Sequence, residues 1–234
     1  MAKIINSILD FFYPKFCLSC GKENVYLCHE CFLKIKIFDS PFCPYCKTRS
    51  FNGKIHKECS KNLSGFVAAT SYSDDLLRKV IDAFKYNFVM ELKDPLAFLI
   101  LKFLKENPEI EFFKNPIDFL ILPVPLHDRR LHWRGFNQST RIGKVLSPIL
   151  KIPLKEDVLF RKKDTPPQSK IKNVKEKMEN IQKSFFVKNT ELTRNKKIIL
   201  LDDVATSLST MEEAAKELKQ NGVEEIWGLS VAKG

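Results

Sequence analysis

The sequence has no long hydrophobic run. No stretch of the 234 residues approaches the roughly 20 consecutive apolar residues that a membrane-spanning helix requires. The first residues also lack the small-residue cleavage site of a secretory signal peptide, and Asp10 interrupts their apolar character. They instead predict a short amphipathic helix over residues 4–12, ahead of Pro14. We expect a protein that has no membrane span and resides in the cytoplasm.

Cysteine is absent after residue 59, although seven cysteines precede that point. They form three Cys-x-x-Cys pairs, and a His-x-x-Cys pair completes a fourth. Two such pairs supply the tetrahedral shell of a structural zinc ion, whereas the odd count and this spacing argue against disulfides. Residues 1–60 therefore predict a zinc-ribbon-like module that holds one or two structural zinc ions. The simplest partition is sequential, with Cys17, Cys20, Cys28 and Cys31 at one ion and Cys43, Cys46, His56 and Cys59 at the other.

Two details of this module stay open. His29 lies between two of the cysteines and is a competing ligand. An interleaved pairing of the Cys-x-x-Cys motifs is the alternative to the sequential one.

Acidic residues are outnumbered by basic ones, 28 to 39, which gives a formal net charge of +11. The excess is concentrated in residues 151–197, where fourteen Lys or Arg face six Asp or Glu. This segment predicts a mobile, basic loop that meets an anion such as polyphosphate or nucleic acid, and residues 161–180 would close over a site. A solvated lysine surface is the alternative.

Strands alternate with helices from residue 61 to residue 234. We predict a strand at Phe66–Tyr72, a helical region from residue 75 to about residue 105 that Pro95 interrupts, and a helix that ends before Pro148. This alternation is typical of an α/β domain with a mainly parallel sheet and flanking helices.

Residues 198–213 carry the strongest functional pattern. The apolar run Ile198–Leu201 predicts a strand buried on both faces of a parallel sheet. Asp202 and Asp203 follow at its carboxyl end, where ligands of open α/β sheets bind. Hydroxyl groups then precede a helix whose N-terminal N–H groups favour a phosphate. This predicts a pocket for a phosphorylated sugar, although a capping box would also explain the hydroxyls. The loop residues concerned are Thr206, Ser207, Leu208, Ser209 and Thr210.

A second candidate anion site follows the predicted strand at Phe119–Pro125. The next segment contains Arg129, Arg130 and Arg134, whose guanidinium groups can bind pyrophosphate in bidentate fashion. Gly135 would let the backbone approach a ligand closely. Both anion-binding loops are expected at one edge of the sheet.

Several blocks of the chain resemble the ComF competence-protein family. The most specific block is Pro123-Val-Pro-Leu126 through Arg134-Gly-Phe-Asn-Gln138. Asp202-Asp-Val-x-Thr206 resembles the motif with which type I phosphoribosyltransferases bind phosphoribosyl diphosphate. Ala83-Phe-Lys-Tyr86, which contains Lys85, and Thr165-Pro-Pro-Gln168 resemble two further blocks, so that the resemblance covers nearly the whole chain.

The resemblance implies a type I phosphoribosyltransferase fold and a role in DNA uptake by natural transformation. It implies phosphoribosyl diphosphate with Mg²⁺ as the ligand, single-stranded DNA as a partner, and DNA-uptake or recombination proteins as further partners. Asp202 and Asp203 would hold the ribose hydroxyls, the hydroxyl loop the 5′-phosphate and the three arginines the pyrophosphate, with Lys85 as a further ligand contact.

Two departures from the family pattern bear on activity. Leu208 replaces a glycine of the phosphate loop, and positive φ at that position would strain a leucine. Lys175 and Lys177 lie where the family has an arginine. Ligand binding is therefore better supported than phosphoribosyl transfer. The alternatives are a nucleotide-salvage phosphoribosyltransferase and a non-catalytic DNA-binding adaptor.

Overall fold

A four-stranded parallel sheet forms the centre of the fold. The computed structural model describes residues 14–59, 61–162 and 184–234. The sheet has the order β1-β6-β5-β2, and all its neighbouring strands are parallel, as predicted. The strands are β1 (Gly65–Ser71), β2 (Phe119–Pro123), β3 (Leu159–Arg161), β4 (Phe185–Val187), β5 (Lys197–Ala205) and β6 (Ile226–Lys233), of which β3 and β4 form a separate antiparallel pair.

Helices cover both faces of this sheet. On one face α3 and α6 pack against each other, and α7 covers the other face. Within the described ranges, no helix combines the length and the apolar character needed to cross a membrane. The α-helices are α1 (His29–Lys34), α2 (Asp75–Tyr86), α3 (Lys93–Glu106), α4 (Glu111–Lys114), α5 (Asp128–Arg134), α6 (Gln138–Leu150) and α7 (Ser209–Gln220).

The alternation of side chains along each strand divides the core into two apolar clusters. In β5, Ile199 and Leu201 belong to the cluster shared with α3 and α6, whereas Ile198 and Leu200 belong to the cluster shared with α7. Successive side chains of a strand point to opposite faces, so a continuous apolar run fills both clusters. All four side chains are fully buried, which confirms the predicted two-sided burial of this strand.

Three element bounds differ from the prediction. The break in the first helical region precedes α3, so Pro95 lies in the first turn of that helix, where a missing N–H is tolerated. Helix α6 continues through Pro148 to Leu150, although proline there removes one hydrogen bond of the final turn. Strand β5 continues to Ala205, so Asp202 and Asp203 are strand residues. The predicted helix at residues 4–12 and most of the predicted loop at 161–180 lie outside the described residues.

Two similar turns hold the N-terminal cysteines. The backbone N–H of Gly21 donates to Cys17 O at 3.0 Å, and that of Lys47 donates to Cys43 O at 2.8 Å. Gly21 and Lys47 both have positive φ, 75° and 62°. Such turns direct the two sulfurs of a Cys-x-x-Cys pair toward one point. An antiparallel bridge flanks each turn, Phe16 with Glu23 and Phe42 with Arg49.

The cysteine module packs directly on the α/β part of the chain. Three of its first four cysteines belong to the same buried cluster as α3 and α6. From its second half, Tyr45 Oη donates to the Glu212 carboxylate. Asn62, just beyond the module, donates to the same carboxylate from the backbone N–H at 2.9 Å and from Nδ2 at 3.0 Å. Burial and this carboxylate raise the pKa of Tyr45, which keeps its phenol a donor. Glu212 therefore connects the module to α7. The domain boundary at residue 60 stays a prediction.

Replacing Glu212 with Ala should destabilise the protein. The substitution removes the carboxylate that accepts hydrogen bonds from three donor groups of Tyr45 and Asn62. Leaving such half-buried donors unpaired costs about 1–3 kcal/mol. Chemical denaturation of the zinc-loaded protein measures this loss. The control is Lys216→Ala at an exposed position of the same helix, which should change the free energy of unfolding by less than about 0.5 kcal/mol. Equal losses in both variants would assign the effect to α7 itself.

Candidate functional site

A cavity of about 450 Å³ opens at the carboxyl edge of the sheet. Strand β2 ends at Pro123 opposite Leu201, so β5 extends beyond this neighbour and brings Asp202 and Asp203 to the wall of the cavity. Ligands of open α/β sheets bind at this edge. The predicted site residues that line the cavity are Lys85, Arg130, Arg134, Asp202, Asp203, Thr206 and Thr210.

Asp203 is the centre of a buried polar network. Lys85 Nζ of α2 lies 2.5 Å from Asp203 Oδ2, and their side chains are only 15% and 3% exposed. Gln138 Nε2 of α6 donates to Asp203 Oδ1 at 3.4 Å. Arg134 Nη1, at the end of α5, in turn donates to Gln138 Oε1 at 2.6 Å. Side chains from three helices thus converge on one carboxylate.

The pKa values of the two adjacent carboxyl groups shift in opposite directions. Burial and the negative charge of Asp203 raise the pKa of Asp202 to about 7. Burial also opposes the ionisation of Asp203, but the Lys85 ammonium outweighs it and lowers the pKa of Asp203. Ser139 Oγ donates to Asp202 Oδ1 at 3.0 Å, and the Asp203 N–H donates to the same oxygen at 2.9 Å. Near neutral pH, one carboxylate is fixed as an anion and the other is close to its titration point.

The segment predicted as an arginine loop is the short helix α5. Gly135 ends it with φ 74°, and a Cβ added there would meet nothing within 4 Å. The glycine therefore provides a left-handed C-cap. The close approach of its backbone to a ligand stays a prediction. Arg134 is 9% exposed, and its Nε has no hydrogen-bond partner among the described residues. Arg130 also lines the cavity, whereas Arg129 is exposed and is not among the lining residues.

The hydroxyl loop keeps a glycine-like bend at Leu208, which has φ 60° and ψ −2°. A left-handed conformation costs a non-glycine residue about 1–2 kcal/mol. The Leu208 side chain is 3% exposed, and burying it contributes about 1.5–3 kcal/mol, which offsets that strain. The loop therefore adopts a left-handed bend without glycine. Ser207 Oγ lies 2.9 Å from Ser209 Oγ, and Lys233 Nζ donates to Thr206 O at 2.6 Å.

The sequence did not predict three of these contacts. Gln138 belongs to the arginine-containing motif, and its place there could have suggested a role at the site. Ser139 and Lys233 have no such local signal, because they meet Asp202 and Thr206 through contacts between elements distant in sequence.

The first four cysteines form one compact cluster. The sulfurs of Cys17, Cys20, Cys28 and Cys31 all lie within 4.8 Å of one another. The Cys20 and Cys28 sulfurs are 3.7 Å apart, close to the roughly 3.8 Å edge of a tetrahedron with Zn–S bonds of about 2.3 Å. Burial opposes ionisation of Cys17, but hydrogen bonds from the backbone of Cys28, Cys20 and Ser19 lower its pKa to about 6. This donor set fits a structural zinc ion.

A second cluster contains the sulfurs of Cys43, Cys46 and Cys59, again within 4.8 Å of one another. His56 Nδ1, the predicted fourth ligand, lies 3.2 Å from Cys46 Sγ. It is not within 4.8 Å of all three sulfurs, so it lies beside the cluster. Hydrogen bonds from Thr48 lower the pKa of Cys46 to about 6. The geometry agrees with the sequential partition, and the exposed His29 lies outside both clusters.

Comparisons with known proteins agree with this geometry. Residues 8–60 match the double zinc ribbon domain, and residues 137–231 match the phosphoribosyl transferase domain. Competence protein F of Haemophilus influenzae is 29% identical over 88% of this chain and 90% of its own length. Competence protein ComFC of Bacillus subtilis is 26% identical over 86% of this chain and 81% of its own length. DNA utilization protein YhgH of Shigella flexneri is 26% identical over 82% and 84% of the two chains.

Over most of its length the chain is similar to two ComF competence proteins. This confirms the resemblance drawn from the Arg-Gly-Phe-Asn-Gln and Asp-Asp motifs. The phosphoribosyl transferase domain and the parallel sheet together confirm the predicted fold, and the double zinc ribbon agrees with structural zinc in the cysteine module.

The two carboxyl groups should affect stability in opposite ways. With a raised pKa, folded Asp202 keeps a proton that the unfolded chain loses, so its contribution to stability falls as pH rises from about 4 toward 7. The free energy of unfolding of Asp202→Asn, relative to that of the wild type, should therefore increase by roughly 1–3 kcal/mol from pH 5 to pH 8, since one pKa unit corresponds to about 1.4 kcal/mol. Denaturation at both pH values measures the difference.

Asp203→Asn is the matched variant for this experiment. Because its pKa is lowered, Asp203 contributes stability above its ordinary pKa of 3.8. Asp203→Asn leaves the Lys85 ammonium without its buried partner and should cost about 3–5 kcal/mol at both pH values. A stability difference for Asp202→Asn that is the same at pH 5 and pH 8 would contradict the assigned shifts.

Each cysteine cluster should hold one zinc ion. Cys20→Ser and Cys46→Ser remove one exposed thiol from the first and second cluster, so each variant should lose about one zinc equivalent in elemental analysis. Both should also melt at a lower temperature, because zinc binding contributes to the free energy of folding. An unchanged melting temperature after complete chelation would rule out structural metal.

Proposed function

We propose that this chain binds phosphoribosyl diphosphate in the cavity at the carboxyl edge of the sheet and acts in cytoplasmic DNA uptake. One observation carries the ligand proposal. The Asp202–Asp203 pair and the buried Arg134, whose Nε lacks a hydrogen-bond partner in the described structure, line the same cavity. Buried guanidinium groups are suited to bind a diphosphate, and paired carboxylates are suited to bind sugar hydroxyls.

The ligand would lie across three elements. Arg130 and Arg134 of α5 would bind the pyrophosphate together with Mg²⁺, and Asp202 and Asp203 would hold the ribose hydroxyls. The loop at 206–210 would receive the 5′-phosphate, since it leads into α7 and offers N–H groups at the positive end of a helix dipole. The low-dielectric site would strengthen each contact.

Phosphoribosyl transfer is compatible with this arrangement. The ionised Asp203, joined by Asp202 when that group loses its proton, would favour the positive charge that develops when the pyrophosphate leaves. Preorganised charges of this kind dominate catalysis in many sites. Lys85, whose ammonium already neutralises Asp203, would balance the site in the absence of ligand.

The DNA role rests on the relatives and on charge. Two similar proteins are competence proteins and a third is a DNA utilization protein. The formal net charge of +11 favours association with a polyanion. Arg161 and Lys162 begin the basic segment from which we expect DNA contacts, and the lysines from Lys163 to Lys177 lie outside the described residues.

Phosphoribosyl diphosphate with Mg²⁺ should raise the melting temperature. A ligand at about 100 times its dissociation constant stabilises the folded state by about 2.7 kcal/mol, which corresponds to several degrees for a chain of this size. Thermal-shift measurements over a ligand titration provide the test. Ribose 5-phosphate, which lacks the diphosphate, should produce a smaller shift.

Two arginine variants locate the ligand. Arg134→Lys keeps the charge but loses the planar fork, so the ligand-induced shift should fall by at least half. Arg129→Lys makes the same change at an exposed position of α5 that does not line the cavity, and its shift should stay close to that of the wild type. Equal losses in the two variants would indicate general charge attraction and would defeat the proposal.

A further inference from the structure

Three exposed aromatic side chains lie together at the mouth of the cavity. Trp133 is 61% exposed, Tyr86 47% and Phe88 45%. The ring centroid of Trp133 lies 5.9 Å from that of Phe88 and 6.3 Å from that of Tyr86. Tyr86 and Trp133 also line the cavity. We call these three residues the aromatic rim.

The exposed positions of the aromatic rim contribute little to the stability of the fold. All three side chains leave much of their apolar surface in water, so they contribute less to stability than buried rings do. Phe88 follows the C-cap of α2 in the left-handed conformation, with φ 58°, at a position where glycine is usual. The chain therefore places a strained, exposed aromatic residue beside its main cavity, and strain of this kind is concentrated at functional sites.

Positive charge accompanies the aromatic rim. The Arg134 guanidinium lies 5.5 Å from the centroid of the Tyr86 ring. Arg130 precedes Trp133 by three residues on α5, and both line the cavity. Neighbouring aromatic faces and arginines are the combination with which proteins bind unpaired bases and their phosphates. An apolar protein surface would instead remove these two guanidinium groups from water without supplying an anion to them, which is unfavourable.

We propose that the aromatic rim stacks an unpaired nucleobase next to the phosphoribosyl cavity. A base within a duplex is already stacked on its neighbours, so the site would select single-stranded nucleic acid or a free nucleoside. The inference rests on the proposed function, because the adjoining cavity is the phosphoribosyl site assigned there. It adds the position at which an incoming strand, or an acceptor base, meets that site.

Tryptophan fluorescence tests the proposal directly. The chain has two tryptophans, and Trp227 is fully buried, so a base stacked at the rim should quench Trp133 alone. Oligothymidylate should quench the emission, and an abasic oligonucleotide of equal length should not. In Trp133→Phe the quenching should disappear while binding, measured by fluorescence anisotropy of a labelled strand, persists because a ring remains.

Two alanine variants provide the matched comparison. Tyr86→Ala should weaken oligothymidylate binding roughly 5- to 150-fold, the usual range for the loss of one stacking side chain. Phe51→Ala removes a 77% exposed ring beside the first residues of β1, at the opposite edge of the sheet, and should leave affinity unchanged. Equal quenching by the abasic strand, or equal losses in both variants, would overturn the proposal.

Two further comparisons distinguish a free base from a DNA strand, and the aromatic rim from the proposed phosphoribosyl site. Quenching by thymidine alone at comparable concentration would assign the rim to a free acceptor base, and quenching by the strand alone would assign it to DNA. Both outcomes support nucleobase stacking. Quenching without any thermal shift by phosphoribosyl diphosphate would refute the proposed small-molecule ligand and retain the rim. A thermal shift by phosphoribosyl diphosphate without quenching by any base would refute the aromatic rim and retain the small-molecule ligand.

Discussion

The buried carboxylate of Asp203 is the group on which the rest of the site depends. A carboxylate that is 3% exposed must be paired, because an uncompensated charge in such a place costs several kcal/mol. Lys85 supplies the pairing charge from α2, and Gln138 supplies a hydrogen bond from the start of α6. Arg134 reaches the same carboxylate through Gln138. The requirement to satisfy one charge therefore fixes three helices around the carboxyl edge of β5.

The same network prepares the cavity for an anionic ligand. Lys85 supplies the charge that pairs with Asp203, and the arginines that line the cavity would attract the diphosphate that we propose. The loop that we propose to receive the 5′-phosphate is anchored by the buried Leu208 and by Lys233 of the last strand. Glu212, two residues beyond that loop, receives hydrogen bonds from Tyr45 and Asn62. The second cysteine cluster thereby supports the helix on which the phosphate would rest.

Local patterns predicted those parts of the molecule that local physics determines. The run Ile198–Leu201 predicted a doubly buried strand, because a parallel strand covered on both faces buries four consecutive apolar side chains. The spacing of Cys17 and Cys20 predicted a metal-binding turn, because two residues between the cysteines let both thiolates face one metal ion. The helical form of α5 was not predicted, since its arginines and Gly135 were assigned to a loop, although glycine is the usual C-cap of a helix. The contacts of Ser139 and Lys233 depend on distant elements and leave no local signal.

Hydrogen–deuterium exchange with and without phosphoribosyl diphosphate and Mg²⁺ tests the central claim most directly. That claim is that the carboxylates of β5 and the arginines of α5 form one ligand site. The account predicts slower exchange in both segments, residues 202–210 and residues 128–138, over the same range of ligand concentration. Protection of one segment alone, or protection confined to the cysteine module, would contradict it.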